Sequence, residues 1–153
     1  MGKKLFLVFL ILTLTLSSCT GSIGHENHII RVGQTYNEVI SSIEDKQFLT
    51  YDRFMFFENK SGMNVVVEFN DSLELVTKIA YYEKGTADNS SVSRVKVGMT
   101  PFEVVELIGL PSWSLTFGLS SLDFEIEPNT AFRVIWDGEM KVLECYEVKY
   151  YYD

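Results

Sequence analysis

Apolar residues recur with helical spacing in the stretch VGMTPFEVVELIGLPS, which begins at residue 97. Thr100 has the chemistry of a helix N-cap, Pro101 suits the first helical position, and Glu103 stands where it can complete a capping box. One helix face is then supplied by Phe102, Val104, Val105, Leu107 and Ile108. Gly109 and Pro111 are typical helix stops. The pattern therefore predicts a helix of about two turns.

A weaker copy of this signal, VGQTYNEVISSI, begins at residue 32. Thr35 and Glu38 repeat the capping box 65 residues before Thr100 and Glu103. The apolar face recurs as well, through Tyr36, Val39, Ile40 and Ile43. Because one short motif can recur by chance, the segments after the two helices decide whether the chain contains a repeat.

Strand patterns of the same kind follow each predicted helix. After the first come FLTYDRFMFF, MNVVVEF and LELVTKIAYY, and after the second come WSLTFGLSSLDFEI, TAFRVIW and KVLECYEVKYYY. Turn residues, Asn70 with Asp71 and Asp137 with Gly138, precede the last strand of each set. Aligning the turns at an offset of 67 pairs Val65 with Phe132, Val67 with Val134, Phe69 with Trp136, Leu75 with Val142, Ile79 with Tyr146 and Tyr81 with Val148. Alternation along the strands would place each set on one sheet face.

These patterns predict an α+β fold of two tandem units, each a helix followed by a three-stranded antiparallel sheet. The first unit covers residues 29–83 and the second covers residues 92–153. Between them, KGTADNSS from Lys84 to Ser91 has the composition of a connecting loop. One short helix on three strands buries little apolar surface, so we expect both units to share one compact domain.

The N-terminal residues carry a different pattern. Residues 1–18 combine two lysines, a twelve-residue apolar core and two small residues, which is typical of a secretory signal peptide. That core is shorter than the roughly 18 residues that a membrane-spanning helix needs. Cys19 follows in the string LSSC, which resembles the lipobox of bacterial lipoproteins. The resemblance implies diacylation of Cys19 and attachment to a membrane, and the alternative is an ordinary signal peptide that ends beside a cysteine.

A polar, glycine-bearing segment, residues 19–28, would then tether the domain to the lipid. Both histidines, His25 and His28, lie in this tether. We therefore expect no metal site, no cofactor and no histidine-based catalytic residues in the domain. Thr20 is not the aspartate that retains many such lipoproteins at the inner membrane, so we expect a location in the cell envelope, at the outer membrane if the source is Gram-negative.

The net charge and the cysteine content limit the partners and the chemistry that we expect of this protein. Without the leader and its two lysines, 11 basic and 21 acidic side chains remain, a net charge of −10. Such a surface repels nucleic acid, so we expect no nucleic-acid partner. With Cys19 acylated, Cys145 is the one remaining thiol, and the apolar run around it predicts a buried, inert side chain.

The helix opening VGMTPFEVVELIGLP resembles that of the SmpA/OmlA (BamE-like) lipoprotein domain of the outer-membrane β-barrel assembly machinery. Two such units in tandem are also similar to the β-lactamase inhibitory protein fold. The first copy lacks the Gly-x-Pro stop, and the assembly lipoprotein has one unit where this chain has two. The resemblance implies a non-catalytic protein that binds other proteins through its sheet or its loops.

Few side chains are candidates for a site. Asp123, Glu125 and Glu127 alternate along LDFEIEP and are compatible with paired catalytic carboxylates, a calcium patch or, more simply, a solvated strand face. Tyr151 is the candidate for partner contact, because it falls opposite a set that we expect partly in the core: Tyr146, Val148, Tyr150 and Tyr152. We expect an envelope lipoprotein that acts as a protein interaction module, either in outer-membrane protein assembly or as an enzyme inhibitor. The alternative is a small envelope enzyme or ligand carrier that uses the sheet carboxylates.

Overall fold

The computed structural model describes residues 30–43, 47–85, 87–112 and 121–150. The helices in these ranges are α1 (Tyr36–Ile43), α2 (Asn89–Val92) and α3 (Pro101–Ile108), and none of them has the length and apolar character to cross a bilayer. The strands are β1 (Phe48–Tyr51), β2 (Phe54–Glu58), β3 (Asn64–Phe69), β4 (Val76–Tyr82), β5 (Ser121–Glu127), β6 (Thr130–Trp136) and β7 (Val142–Lys149). They form two antiparallel sheets, β1-β2-β3-β4 and β5-β6-β7, so the predicted α+β class is confirmed.

Both predicted capping boxes are confirmed. The Thr35 backbone N–H donates to Glu38 Oε2 over 2.6 Å, and the Glu38 N–H donates back to Thr35 Oγ1 over 3.3 Å. Thr100 and Glu103 repeat this exchange at 2.8 and 3.4 Å. Each box satisfies helix N–H groups that have no partner inside the helix, which explains why α1 and α3 begin where the sequence indicates.

Thr100→Ala is expected to lower the free energy of unfolding by about 1 kcal/mol, because it removes the side-chain cap of α3. Hydrogen bonds from the Thr100 backbone and hydroxyl lower the pKa of Glu103. Since the folded-state pKa is the lower one, this stabilisation is present above the unfolded value and is lost as the pH falls through the folded value. Denaturant unfolding at neutral and at acid pH should therefore give a smaller difference between the two proteins in acid. The same difference at both pH values would contradict a contribution from the Thr100 hydroxyl to the Glu103 carboxylate.

A turn that contains a glycine precedes each capped helix. Gly33 and Gly98 both have φ of +88°, a conformation that favours glycine. Their N–H groups donate over 2.8 Å to the carbonyl oxygens of Val76 and Val142, the first residues of β4 and β7. Val76 therefore occupies the place of Val142, and the predicted pairing of Leu75 with Val142 is wrong by one residue.

The extra residue lies in the hairpin loop before β4. The Asn70 N–H donates to the carbonyl oxygen of Leu75, whereas in the second sheet the Asp137 N–H donates to that of Lys141. The first loop is thus one residue longer, and the offset between the last strands is 66 instead of 67. The matched turn residues in the sequence could not indicate this difference, because the insertion follows them.

A β-bulge in β7 corrects the predicted position of Tyr146. Trp136 pairs with Val142 but Ile135 pairs with Glu144, which leaves Leu143 without a partner in the ladder. A bulge shifts the alternation of side chains by one position. Val142 consequently faces the core, while Tyr146, expected there too, is on the opposite face and 41% exposed.

The first sheet has four strands, so the prediction of three was wrong. The stretch predicted as one strand, FLTYDRFMFF, folds back on itself, with Tyr51 paired to Phe54. Asp52, at φ of +50°, occupies the tight turn between them. Aspartate tolerates this left-handed conformation better than most residues, which makes the short hairpin possible. The predicted connecting loop was also wrong in part, since α2 begins there after the N-cap Asp88.

The first sheet is buried on both faces, since consecutive residues of β2 and β3 are buried. Helix α1 covers one face through Val39 and Ile43. This first cluster consists of Ile30, Val39, Ile43, Met55, Phe57, Val65, Val67, Phe69 and Val76. The face that carries Phe54, Phe56 and Val66 belongs to a different cluster.

A larger cluster, the shared core, joins the two sheets through α3. From α3 it takes Phe102, Val104, Val105 and Ile108, and from the second sheet Leu122, Phe124, Phe132, Val134, Trp136 and Val142. The remaining members include Phe54, Phe56 and Val66 of the first sheet. Helix α3 lies against β3 and β4, so a helix from the second half of the chain covers the first sheet.

The end of α3 touches the segment that follows β4. Gly109, the C-cap residue, has φ of +81° and ψ of −162°. A Cβ atom at this position would overlap the carbonyl oxygen of Gly85 and lie 3.0 Å from its carbonyl carbon. Glycine at position 109 is therefore required both by the backbone conformation and by the close approach of another backbone segment.

Candidate functional site

The second sheet has one face in the shared core and a second face that points away from it. We call the latter the outer face. From the register of the strands it carries Ser121, Asp123, Glu125, Ala131, Arg133, Ile135, Glu144, Tyr146 and Val148. Tyr150, which follows β7, joins this face through its hydrogen bonds to Arg133 and Asp123. Arg133 of the central strand lies directly between Asp123 and Tyr146. This arrangement places an aromatic and a cationic side chain side by side on a rigid sheet.

Arg133, Asp123 and Tyr150 form a hydrogen-bonded cluster on the outer face. Arg133 donates through Nε to Asp123 Oδ1 over 2.7 Å and through Nη2 to Asp123 Oδ2 over 2.8 Å. The same Nη2 donates to the Tyr150 hydroxyl oxygen over 2.9 Å, and that hydroxyl donates to Asp123 Oδ2. A two-pronged arginine–carboxylate pair of this kind fixes the orientation of the guanidinium plane. The cluster therefore holds Arg133 and Tyr150 in place.

The cluster changes the proton affinities of its members. Burial, followed by the hydrogen bond to Asp123, raises the pKa of Tyr150 to about 12. The hydrogen bonds to Asp123 also raise the pKa of Arg133. Tyr150 therefore stays a neutral hydrogen-bond donor, and Arg133 stays charged, throughout the physiological pH range.

The expectation of a solvated carboxylate face is wrong for Asp123, whose side chain is only 2% exposed. Its cross-strand neighbour Arg133 is the reason, because a paired carboxylate can be buried where an isolated one cannot. Glu125 and Glu127 are exposed as expected. Glu125 shares the face of Asp123, but Glu127 does not continue it, since a register shift lies between Glu125 and Glu127. The three carboxylates thus have separate environments.

A cleft of about 650 Å³ lies beside this sheet, where its β5 strand approaches the first sheet. Residues from both sheets and from the ends of α3 and β4 line it: Gln47, Glu58, Asn64, Lys84, Gly85, Leu110, Pro111 and Glu125. The Lys84 ammonium group donates to Glu58 Oε2 over 2.8 Å. Asn64 is buried, and its Nδ2 atom has no hydrogen-bond acceptor among the residues that the structure describes. The cleft therefore combines an unsatisfied hydrogen-bond donor with exposed charged side chains.

Several predicted site residues lie outside the described residues: Cys19, His25, His28 and Tyr151. Cys145 is a free thiol of intermediate exposure, so the prediction of a buried cysteine was wrong. Its position on the edge strand β7 leaves it only partly covered. Burial is still the main cause that raises the pKa of Cys145, which makes the thiol less nucleophilic.

Sequence reasoning missed Arg133, Tyr150 and Asn64 as site residues. A charged side chain inside the apolar run TAFRVIW was the available signal for Arg133, because an arginine in a buried strand needs a partner. No comparable signal exists for Asn64. Within the described ranges, no group of three or more histidine, cysteine, aspartate or glutamate side chains is placed to hold a metal ion.

Comparison with known proteins gives this chain no family. No protein-family model matches it, and no curated protein matches it. Function is therefore inferred from the residues and the geometry of this chain.

Proposed function

We propose that this protein is a lipid-anchored cell-envelope lipoprotein that acts as a non-catalytic protein interaction module. The observation that carries the proposal is the outer face of the second sheet, where Arg133 and Tyr150 are held by Asp123 beside the exposed Tyr146. Tyrosine and arginine are, with tryptophan, enriched among the residues that contribute most to binding at protein interfaces. Side chains fixed before binding lose less conformational entropy on binding, so this face is suited to a partner.

The anchoring part of the proposal rests on residues 1–19. A signal peptide followed by Cys19 supports diacylation, and each buried methylene of an acyl chain contributes about 0.8 kcal/mol to membrane attachment. The tether of residues 19–28 spans at most about 35 Å when extended. A partner would therefore be a protein at or near the membrane surface, which is the outer membrane if the source is Gram-negative.

The fold part of the proposal is a tandem of two helix-and-sheet units that resemble the SmpA/OmlA domain and the β-lactamase inhibitory protein. Support comes from three features that both halves share: the capping boxes, the glycine turns at Gly33 and Gly98, and the hydrogen bonds from these turns to β4 and β7. The fourth strand of the first sheet departs from a strict repeat. A role in outer-membrane protein assembly or in enzyme inhibition is compatible with such a module.

Affinity capture of the full-length lipidated protein from cross-linked membranes, followed by mass spectrometry, tests the proposal. Tyr146→Ala is expected to lower recovery of the partner about tenfold, the loss typical of an interface hot spot. Tyr81→Ala is the matched control, since Tyr81 is 40% exposed against 41% for Tyr146 but lies on the first sheet. Equal losses for the two variants would contradict the assignment of the outer face, and Tyr151→Ala tests the residue selected from the sequence.

The Cys19→Ala form separates the two kinds of role. A membrane-barrel or envelope complex recovered only with the anchored form would support assembly or scaffolding. A secreted enzyme recovered with both forms would support inhibition. No partner with either form would favour the alternative, a small enzyme or ligand carrier that uses the carboxylate Glu125 in the cleft.

A further inference from the structure

The cleft beside β5 contains a polar group that the fold leaves unsatisfied. Asn64 is 2% exposed, and its Nδ2 atom has no acceptor in the described part of the chain. A buried donor without an acceptor costs about 1–3 kcal/mol. The register places Asn64 between Glu58 of β2 and Tyr82 of β4, on the sheet face that borders the cleft. The Nδ2 atom is itself buried, so an acceptor in the cleft must displace part of the cleft wall to reach it, and that hydrogen bond would recover this cost.

The charged side chains around Asn64 indicate which charge a ligand of this cleft would carry. The cleft is lined by two carboxylates, Glu58 and Glu125, and one ammonium group, Lys84. Lys84 is already engaged by Glu58 at 2.8 Å. Glu125 is exposed and forms no ion pair with any described residue. The cleft therefore has an excess of negative charge, which matches the acidic charge of the whole chain, −8 at pH 7.

We propose that this cleft binds an arginine-bearing segment of the partner protein. The guanidinium group pairs with the Glu125 carboxylate, and a backbone carbonyl of the same segment accepts a hydrogen bond from Asn64 Nδ2. Arginine fits better than lysine because its planar donors match a carboxylate in two-pronged geometry. Leu110 and Pro111 supply an apolar wall for the methylene groups of the side chain. The volume of about 650 Å³ is in the usual range of small-ligand sites and leaves room for an arginine side chain with its backbone.

This inference rests on the proposed interaction function and adds the chemistry of the partner. The blocked tripeptide acetyl-Gly-Arg-Gly-amide is the probe, added to the mature lipidated protein in detergent micelles. Binding is followed by NMR through the side-chain amide signals of Asn64. We expect a saturable shift of these signals with a Kd of roughly 1 mM or weaker, because one short peptide makes few contacts. The same peptide with citrulline in place of arginine keeps the shape without the charge and is expected to bind more weakly.

Glu125→Gln is expected to weaken binding of the arginine peptide about threefold to fivefold, the effect of a partly exposed ion pair. Glu127→Gln is the matched control, because it makes the same charge change on the same exposed strand but outside the cleft. No saturable shift at Asn64, equal affinity for the citrulline peptide, or equal losses in the two variants would each overturn the proposal. Tighter binding of free zwitterionic arginine than of the blocked peptide would also overturn it and favour a small-molecule carrier.

The two proposals can fail separately. If capture recovers a partner through Tyr146 while the arginine peptide leaves Asn64 unchanged, the cleft assignment is wrong and the interaction module stands. If the peptide binds with the expected charge dependence while capture recovers no partner, the module is wrong and the cleft is a site for a cationic ligand.

Discussion

Gly109→Ala is expected to lower the free energy of unfolding by about 3 kcal/mol or more. Two separate costs add at this position. The combination of φ at +81° and ψ at −162° belongs to a region that only glycine occupies without strain. The new methyl group would also overlap the carbonyl oxygen of Gly85, which belongs to the backbone and cannot rotate away.

Chemical denaturation of Gly109→Ala and two control variants measures this effect. Gly98→Ala shares the positive φ but meets no atom within 4 Å, so it reports conformational strain without overlap. Gly138→Ala meets no atom within 4 Å and has no positive φ, so it should be nearly neutral. A loss in Gly109→Ala no larger than that in Gly98→Ala would show that the contact with Gly85 contributes nothing.

Arg133→Met is expected to lower the free energy of unfolding by about 3 kcal/mol, because it leaves the Asp123 carboxylate buried without its cation. The methionine side chain keeps much of the apolar length of arginine, so loss of packing contributes little. Equilibrium denaturation provides the measurement. Asp123→Asn in the Arg133→Met background should restore most of the loss, since it removes the uncompensated charge.

A second arginine–carboxylate ion pair provides the control for the effect of burial of the carboxylate. Arg53 donates through Nε to Glu68 over 3.0 Å, and its side chain is 26% exposed against 25% for Arg133. The carboxylates differ, since Glu68 is 22% exposed and Asp123 is 2% exposed. Arg53→Met should therefore cost about 1 kcal/mol or less. Equal costs for the two substitutions would mean that burial of Asp123 is not the cause.

Local signals explain the part of the fold that could be predicted from sequence. The capping boxes at Thr35 and Thr100 and the stop at Gly109 act through hydrogen bonds and backbone angles within four residues of the chain. Such interactions depend little on the rest of the molecule, so the positions of α1 and α3 follow from the sequence alone.

The wrong predictions share a different origin. They concern the extra hairpin at Asp52, the longer loop before Leu75 and the bulge at Leu143. At each of these places the sequence is compatible with more than one turn or strand register. A single displaced residue then reverses the face of every side chain that follows it in the strand. This is why Tyr146 was expected in the core and is found on the surface.

The candidate site could be predicted only in part. Asp123 and Glu125 were selected from their alternation, but the partner of Asp123 lies on the next strand and Tyr150 lies 27 residues away. The cleft was harder to predict from sequence, because its polar residues come from separate segments that meet only in the fold. They include residues of β2, β3, β5 and the segment after β4. Asn64 in particular looks like an ordinary strand residue until the burial of its amide is known.

The position of α3 has a consequence for how this chain can be altered in evolution. The helix belongs by sequence to the second half of the protein, yet it covers β3 and β4 of the first half. A gene that encoded only the first half would produce a sheet with one bare apolar face, including Phe54, Phe56 and Val66. A gene that encoded only the second half would leave part of α3 uncovered. The two halves therefore cannot be separated or shuffled as independent modules, and changes in one are constrained by the other.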